Sequence, residues 1–190
     1  MKFKPLMAAL ALSATAFTAP VQAVDGFTIS VGSSDDDVDF YRVAARLDWD
    51  KKWFDQGDWS LGGHYELGLT HMDSDSSVTN TTGAADNLQG ISILPVFRYQ
   101  RNPYSNGIAP FVEAGIGLAY LTEDKIQNDT ARGTDLGGNF QFEDKISAGL
   151  LFGAEQQFEV SANYFHYSNA GLEDPNDGID FFSLSFSMWY

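Results

Sequence analysis

The 190-residue chain has no cysteine, which excludes a small disulfide-stapled scaffold. Basic residues are scarce: 11 Lys and Arg stand against 26 Asp and Glu, for a formal net charge of −15. Phosphate binding needs a basic patch, and none is visible, so a nucleic-acid partner is disfavoured. Long apolar runs are missing beyond residue 23; no later stretch reaches the roughly 18 apolar residues of a membrane-spanning helix. Any membrane span must therefore be built from strands.

What is present begins with residues 1–23. Lys2 and Lys4 precede the apolar run PLMAALALSATAFTA, which ends in VQA, a small-x-small processing pattern. This reads as a secretory signal peptide cleaved after Ala23. Export to the bacterial envelope follows, and residues 24–190 are expected to form one domain. Removing the two lysines leaves nine basic against 26 acidic residues, a balance of −17.

From residue 24 onward the dominant period is two, the mark of strands with one apolar and one polar face. Phe27, Ile29 and Val31 set the first; Tyr41, Val43, Ala45, Leu47 and Trp49 alternate with Arg42, Arg46 and Asp48 in the second. Further segments are centred on Leu67, Phe97, Ile116, Ala148, Val160 and Phe186, which makes eight. Leu94 and Val96 blur the fourth.

The connections alternate in length, except that the first, around SSDDD, is short where the pattern calls for a long one. Short links fall near 50–58, 101–109 and 153–157, and longer polar ones near 70–88, 121–139 and 169–179. Short turns at one rim and long loops at the other predict an eight-stranded antiparallel transmembrane β-barrel of the outer membrane, with both termini at the periplasmic rim. Aromatic residues end the apolar faces (Tyr41, Trp49, Trp59, Tyr99, Tyr120, Tyr164, Tyr190), as interfacial girdles do. Arg42, Arg46, Asp48, His64, Glu66, Arg98, Glu113 and Lys145 fall on the opposite face. They are expected to fill the narrow interior as a paired plug and leave no channel.

Acidic clusters such as SSDDDVD, MDSDSS and LEDPNDGID read as solvated loop tips. None has EF-hand spacing, so no metal is assigned. His71 is expected at a loop mouth and His64 in the interior.

One polar interruption stands apart. In YFHYSNAGLEDPNDGIDFF, residues 164–182, the parity of Val160, Ala162 and Tyr164 carries His166 and Ser168 onto the apolar face. The parity of Phe182 and Leu184 carries Asp180 there too. Neighbouring strands lie about 4.8 Å apart and residues two apart on a strand about 6.8 Å, so the three can converge as carboxylate, imidazole and hydroxyl. In that order His166 takes the Ser168 proton while Asp180 holds the ring. An H-x-S pair alone is far more often a polar rim than a catalytic dyad. The coincidence of three complementary groups on one patch tilts the reading toward an esterase.

The stretch HYSNAGLEDPNDGID closely resembles the C-terminal signature of the lipid A 3-O-deacylases of the outer membrane, the PagL family. The resemblance implies an eight-stranded barrel with a serine triad on the outside of its wall, Ser168 as nucleophile and His166 as base. It puts the acid at Asp180, where a family member carries glutamate. Aspartate is one methylene shorter, so either the hairpin brings its backbone nearer or Glu173 or Asp177 serves. Oxyanion stabilisation would come from Asn176, helped by backbone N–H groups of NAG around Gly171, and Asn169 would orient the histidine or the loop. No cofactor is implied. The partner would be lipid A of lipopolysaccharide in the outer leaflet, with a free 3-hydroxy fatty acid as product, and a homodimer is left open. The alternatives are a non-catalytic barrel with an adhesive or structural role, and a phospholipase or acyltransferase on the same scaffold.

Overall fold

The structure, a computed structural model, describes residues 24–55, 57–76, 83–102, 107–130 and 132–190. The expected signal peptide lies outside the described residues. Among the described residues ten strands follow in chain order: β1 (Gly26–Ser33), β2 (Val38–Asp48), β3 (Trp59–Ser74), β4 (Asn87–Arg101), β5 (Ala109–Leu121), β6 (Lys125–Ile126), β7 (Thr134–Asp135), β8 (Phe140–Phe152), β9 (Phe158–Ser168) and β10 (Ile179–Trp189). Eight of them close a barrel in the order β1-β10-β9-β8-β5-β4-β3-β2. Closure is made by β1 on β10, antiparallel from Gly26 opposite Trp189 to Ser33 opposite Phe182.

The two additional strands, β6 and β7, form a small hairpin within the connection from β5 to β8. At two residues each they are too short for a period of two to announce them. β3 and β4 also run further than their apolar alternation, so the connection expected over 70–88 narrows to 75–86. Beyond Leu69 the outward side chains turn polar while the ladder hydrogen bonding continues; pairing extends to Asp73 opposite Asn87. His71 consequently lies on β3, its ring 6.3 Å from that of Tyr41, and not in a loop.

The outer wall is apolar. Ile29, Leu69, Ile91, Val112, Ile116, Ile146, Phe182 and Leu184 are all exposed, on strands around the whole barrel. A continuous apolar belt of this extent on a closed sheet is a lipid-facing surface. Aromatic rings cluster at the rim that carries the termini: Trp49 meets Trp53, Tyr65 and Phe97 edge-on, and Trp59 stacks on Tyr99 at 5.0 Å.

The interior is filled in layers. At mid-height Arg42, Arg46, Arg98 and Lys145 interleave with Glu66, Glu113, Glu143 and Glu159, all buried. Arg42 meets Glu66 at 2.7 Å and Glu143 at 2.9 Å, and Lys145 meets Glu66 at 2.8 Å and Glu113 at 3.0 Å. Arg46 and Arg98 converge on Glu159. Equal numbers of opposite charges, each held by several partners, make burial of ions tolerable. Toward the long-loop rim the inward residues are apolar instead: Phe40, Met72, Leu88, Phe165, Tyr167 and Phe181 form one core cluster with Ile126 and Leu136 of the hairpin region. Toward the terminal rim a cavity of about 430 Å³ opens, lined by Asp48, Ser60, His64 and Trp189 among others. Asp48, assigned to the plug by parity, is exposed at this mouth, because water reaches the interior beyond Arg46.

Candidate active site

The site residues sit on β9 and β10, which are backed by the apolar core cluster. Phe165, Tyr167, Ile179 and Phe181 point inward and are buried, and Phe181 stacks on Phe40 at 4.6 Å. Alternation then forces Tyr164, His166 and Ser168 on β9, and Asp180 and Phe182 on β10, onto the outer wall. A rigid strand pair fixes such side chains more closely than a loop could.

Register decides which of them meet. Asp180 lies directly opposite His166, and imidazole Nδ1 is 2.6 Å from Asp180 Oδ1. Their side chains are 32% and 55% exposed, so the pair looks outward from the wall. A carboxylate accepts, so Nδ1 carries the hydrogen and the Nε2 lone pair of the neutral ring is free to take a proton. Ser168 shares the face, half-buried at the end of β9 opposite Phe142. Among the described residues no hydrogen bond joins it to His166. The structure thus brings histidine and aspartate into contact and leaves the hydroxyl on the same patch, one pleat further along.

The connection from 169 to 178 is held from below by the β6–β7 segment. Asn169, only 2% exposed, donates through Nδ2 to Leu136 O at 2.9 Å and Glu173 O at 2.8 Å, while its Oδ1 accepts from Gly171 N–H at 2.8 Å. Asn169 therefore ties the loop to the hairpin segment and does not touch the imidazole's carboxylate partner. The Gly171 N–H is engaged within this turn. Asn176 Oδ1 accepts the Asn169 backbone N–H at 3.0 Å, which anchors the amide and leaves its Nδ2 as a donor. Asp177 is occupied by Arg132 at 2.6 Å and the Asp135 N–H at 3.1 Å. Glu173 is turned toward Gly138. Of the three carboxylates considered from sequence, Asp180 is the one on the histidine, because it is the one whose strand register opposes it.

Three neighbours escaped the sequence reading. Tyr164 OH donates to Asp180 Oδ1 at 2.7 Å. Asp144 on β8 is the other cross-strand partner of His166 and breaks the apolar parity of Phe142 and Ile146, a signal that was there to read. Gly178 has φ +67, and a Cβ on it would come within 3.0 Å of His166 Cε1. The sequence shows the glycine but not the imidazole that its missing Cβ makes room for.

For a metal, His64, Glu66 and Glu113 place donor atoms within 4.8 Å of one another among the described residues. They lie inside the barrel, and their carboxylates already hold Lys145, Arg42, Arg46 and Arg98. A further cation would enter among four others, so the donor set does not fit one.

Fold and site together define an outer-membrane β-barrel with a histidine–aspartate pair and a serine on its lipid-facing wall. The family model described as lipid A 3-O-deacylase (PagL) matches residues 39–189. The chain is 35% identical over 187 residues to the lipid A deacylase PagL of Pseudomonas aeruginosa, covering 98% of each chain. It is 27% identical over 193 residues to the lipid A deacylase PagL of Bordetella bronchiseptica, covering 100% of this chain and 97% of that one. The crystal structure of the outer membrane enzyme PagL superposes with a TM-score of 0.72 at 33% identity, covering 87% of this chain and 99% of that chain. This protein belongs to the lipid A 3-O-deacylase family.

Proposed function

We propose that the protein is a serine esterase that hydrolyses the acyl chain ester-linked at the 3 position of lipid A. The observation that carries the reading is the 2.6 Å contact of His166 with Asp180 on the outer wall, with Ser168 on the same face. Its family and its relatives' activity give the bond to be cut. A substrate whose acyl chains lie in the leaflet needs catalytic groups that face the lipid, which an outward pair provides.

In this mechanism Ser168 Oγ attacks the ester carbonyl while His166 Nε2 takes the hydroxyl proton and Asp180 stabilises the imidazolium. The carbonyl electron pair moves to oxygen, where Asn176 Nδ2 donates to the oxyanion. Collapse expels the sugar 3-oxygen, which receives the proton from His166, and leaves an acyl-serine. Water, deprotonated by His166, then releases a 3-hydroxy fatty acid and restores Ser168. The hydroxyl–imidazole bond closes when the ester is bound; such bonds are often long in the free enzyme. No cofactor takes part. The long-loop rim is the outer-leaflet side, and export proceeds by cleavage after Ala23.

The test is mass spectrometry of lipid A incubated with the purified barrel. Wild type is expected to remove one 3-hydroxyacyl chain, and Ser168→Ala none. Unchanged lipid A with wild type, or equal loss with both, overturns the reading.

A further inference from the structure

Resting on the esterase reading, we propose that Tyr164 is a positioning residue of this site: its hydroxyl fixes the Asp180 carboxylate that in turn holds His166. The phenol lies two residues before His166 on the same face, and it reaches diagonally across to β10 to donate to Asp180 Oδ1 at 2.7 Å. That is the same oxygen that accepts from His166 Nδ1 at 2.6 Å. The Tyr164 ring is itself steadied by Phe182, its cross-strand partner, at 5.3 Å between centroids.

The need for a second donor follows from where the carboxylate stands. Asp180 is exposed at the margin of a wall otherwise made for hydrocarbon, where an ionised carboxylate has fewer water partners than in bulk solvent. With the imidazole as its sole donor, the carboxylate would compete more strongly for the Nδ1 proton, and a ring that shares that proton away is a weaker acid at Nε2, where the leaving oxygen collects its own. A neutral hydroxyl donating to the carboxylate favours its charged form and keeps the Nδ1 proton on His166. It also halts rotation of a short side chain whose Oδ1 must stay in line with Nδ1. Tyr164 touches neither the serine nor the imidazole through any hydrogen bond among the described residues, so its effect passes through Asp180.

Tyr164→Phe removes one oxygen and keeps the ring against Phe182. Three measurements on detergent-solubilised protein test the idea: steady-state deacylation of lipid A in mixed micelles, the rate at which a small alkyl phosphonate labels Ser168, and the heat-shifted electrophoretic mobility that reports a folded barrel. The expected result is a folded barrel with kcat about tenfold lower, the low end for a hydrogen bond to a charged group, and KM unchanged. Phosphonate labelling should slow by the same factor. A kcat and labelling rate within twofold of wild type overturn the proposal. So does a rise in KM with labelling unchanged, which would make Tyr164 a substrate contact. A folded Tyr164→Leu variant, which likewise carries no donor and is expected to be at least as slow as the phenylalanine variant, guards against a ring effect, and wild-type activity in it also sinks the proposal. Wild type that neither deacylates lipid A nor labels at Ser168 would refute the underlying esterase reading instead.

Discussion

His166 and Asp180 face each other across the β9–β10 pair with 2.6 Å between Nδ1 and Oδ1, a separation set by strand register and independent of the loop that joins the strands. Asp180→Asn preserves shape and removes the charge that stabilises the imidazolium. Lipid A deacylation is expected to fall by roughly a thousandfold or more. Because the side chain is exposed, barrel stability should stay within about 0.5 kcal/mol of wild type. Time courses of deacylation and urea titrations of the folded mobility check the two halves.

Gly178 is constrained twice, by φ +67 and by the imidazole edge. Gly178→Ala asks an L-residue to adopt the left-handed region, at a cost of about 1–2 kcal/mol, and drives its methyl toward His166 Cε1. Activity should drop roughly 10- to 100-fold from displacement of the ring alone. The barrel should remain folded, since the strain is confined to the loop end at β10. Activity equal to wild type would mean the ring has room to move aside without consequence.

Asn169 and Arg132 both join the 169–178 loop to the β6–β7 segment, yet they should differ sharply on substitution. Asn169→Ala deletes three buried or half-buried hydrogen bonds, a local loss of about 2–4 kcal/mol. The loop should become protease-sensitive and activity should fall with it. The Arg132 side chain is 70% exposed, and breaking such a surface pair changes stability by less than about 1 kcal/mol. Limited proteolysis of the two variants side by side gives the comparison.

Inside the barrel, Glu159 is shared by Arg46, Arg98 and the Trp189 indole N–H. Glu159→Ala leaves two buried guanidinium groups short of a counter-charge, which should destabilise the barrel by about 3–5 kcal/mol. Denaturant titration of the purified barrel reads this directly. The catalytic patch lies on the other face of the wall, so activity of the fraction that stays folded should match wild type.

Much of this architecture was legible because a period of two carries both the strand and its facing. Parity alone took Arg42, Glu66 and Lys145 inside and His166, Ser168 and Asp180 outside. It does not report where along the axis a polar interior gives way to an apolar one. Phe40, Tyr167 and Phe181, which share the inward parity, form an apolar core near the long loops that the polar interior residues of the sequence do not announce. Nor does parity mark where the lumen meets water, hence Asp48. Strand register is not in the pattern either, and register is what put Asp180, and not Glu173 or Asp177, on the imidazole. Tyr164 has the sequence signature of a girdle aromatic, since a tyrosine at an interface looks the same whether its hydroxyl meets a headgroup or a carboxylate.

The layered interior has a consequence for the cell that carries it. Among the described residues, buried ions at mid-height and buried aromatic rings above them fill the lumen. A bacterium carrying it should therefore gain no leak for small solutes through the barrel, such as a wider, hollow cylinder would give.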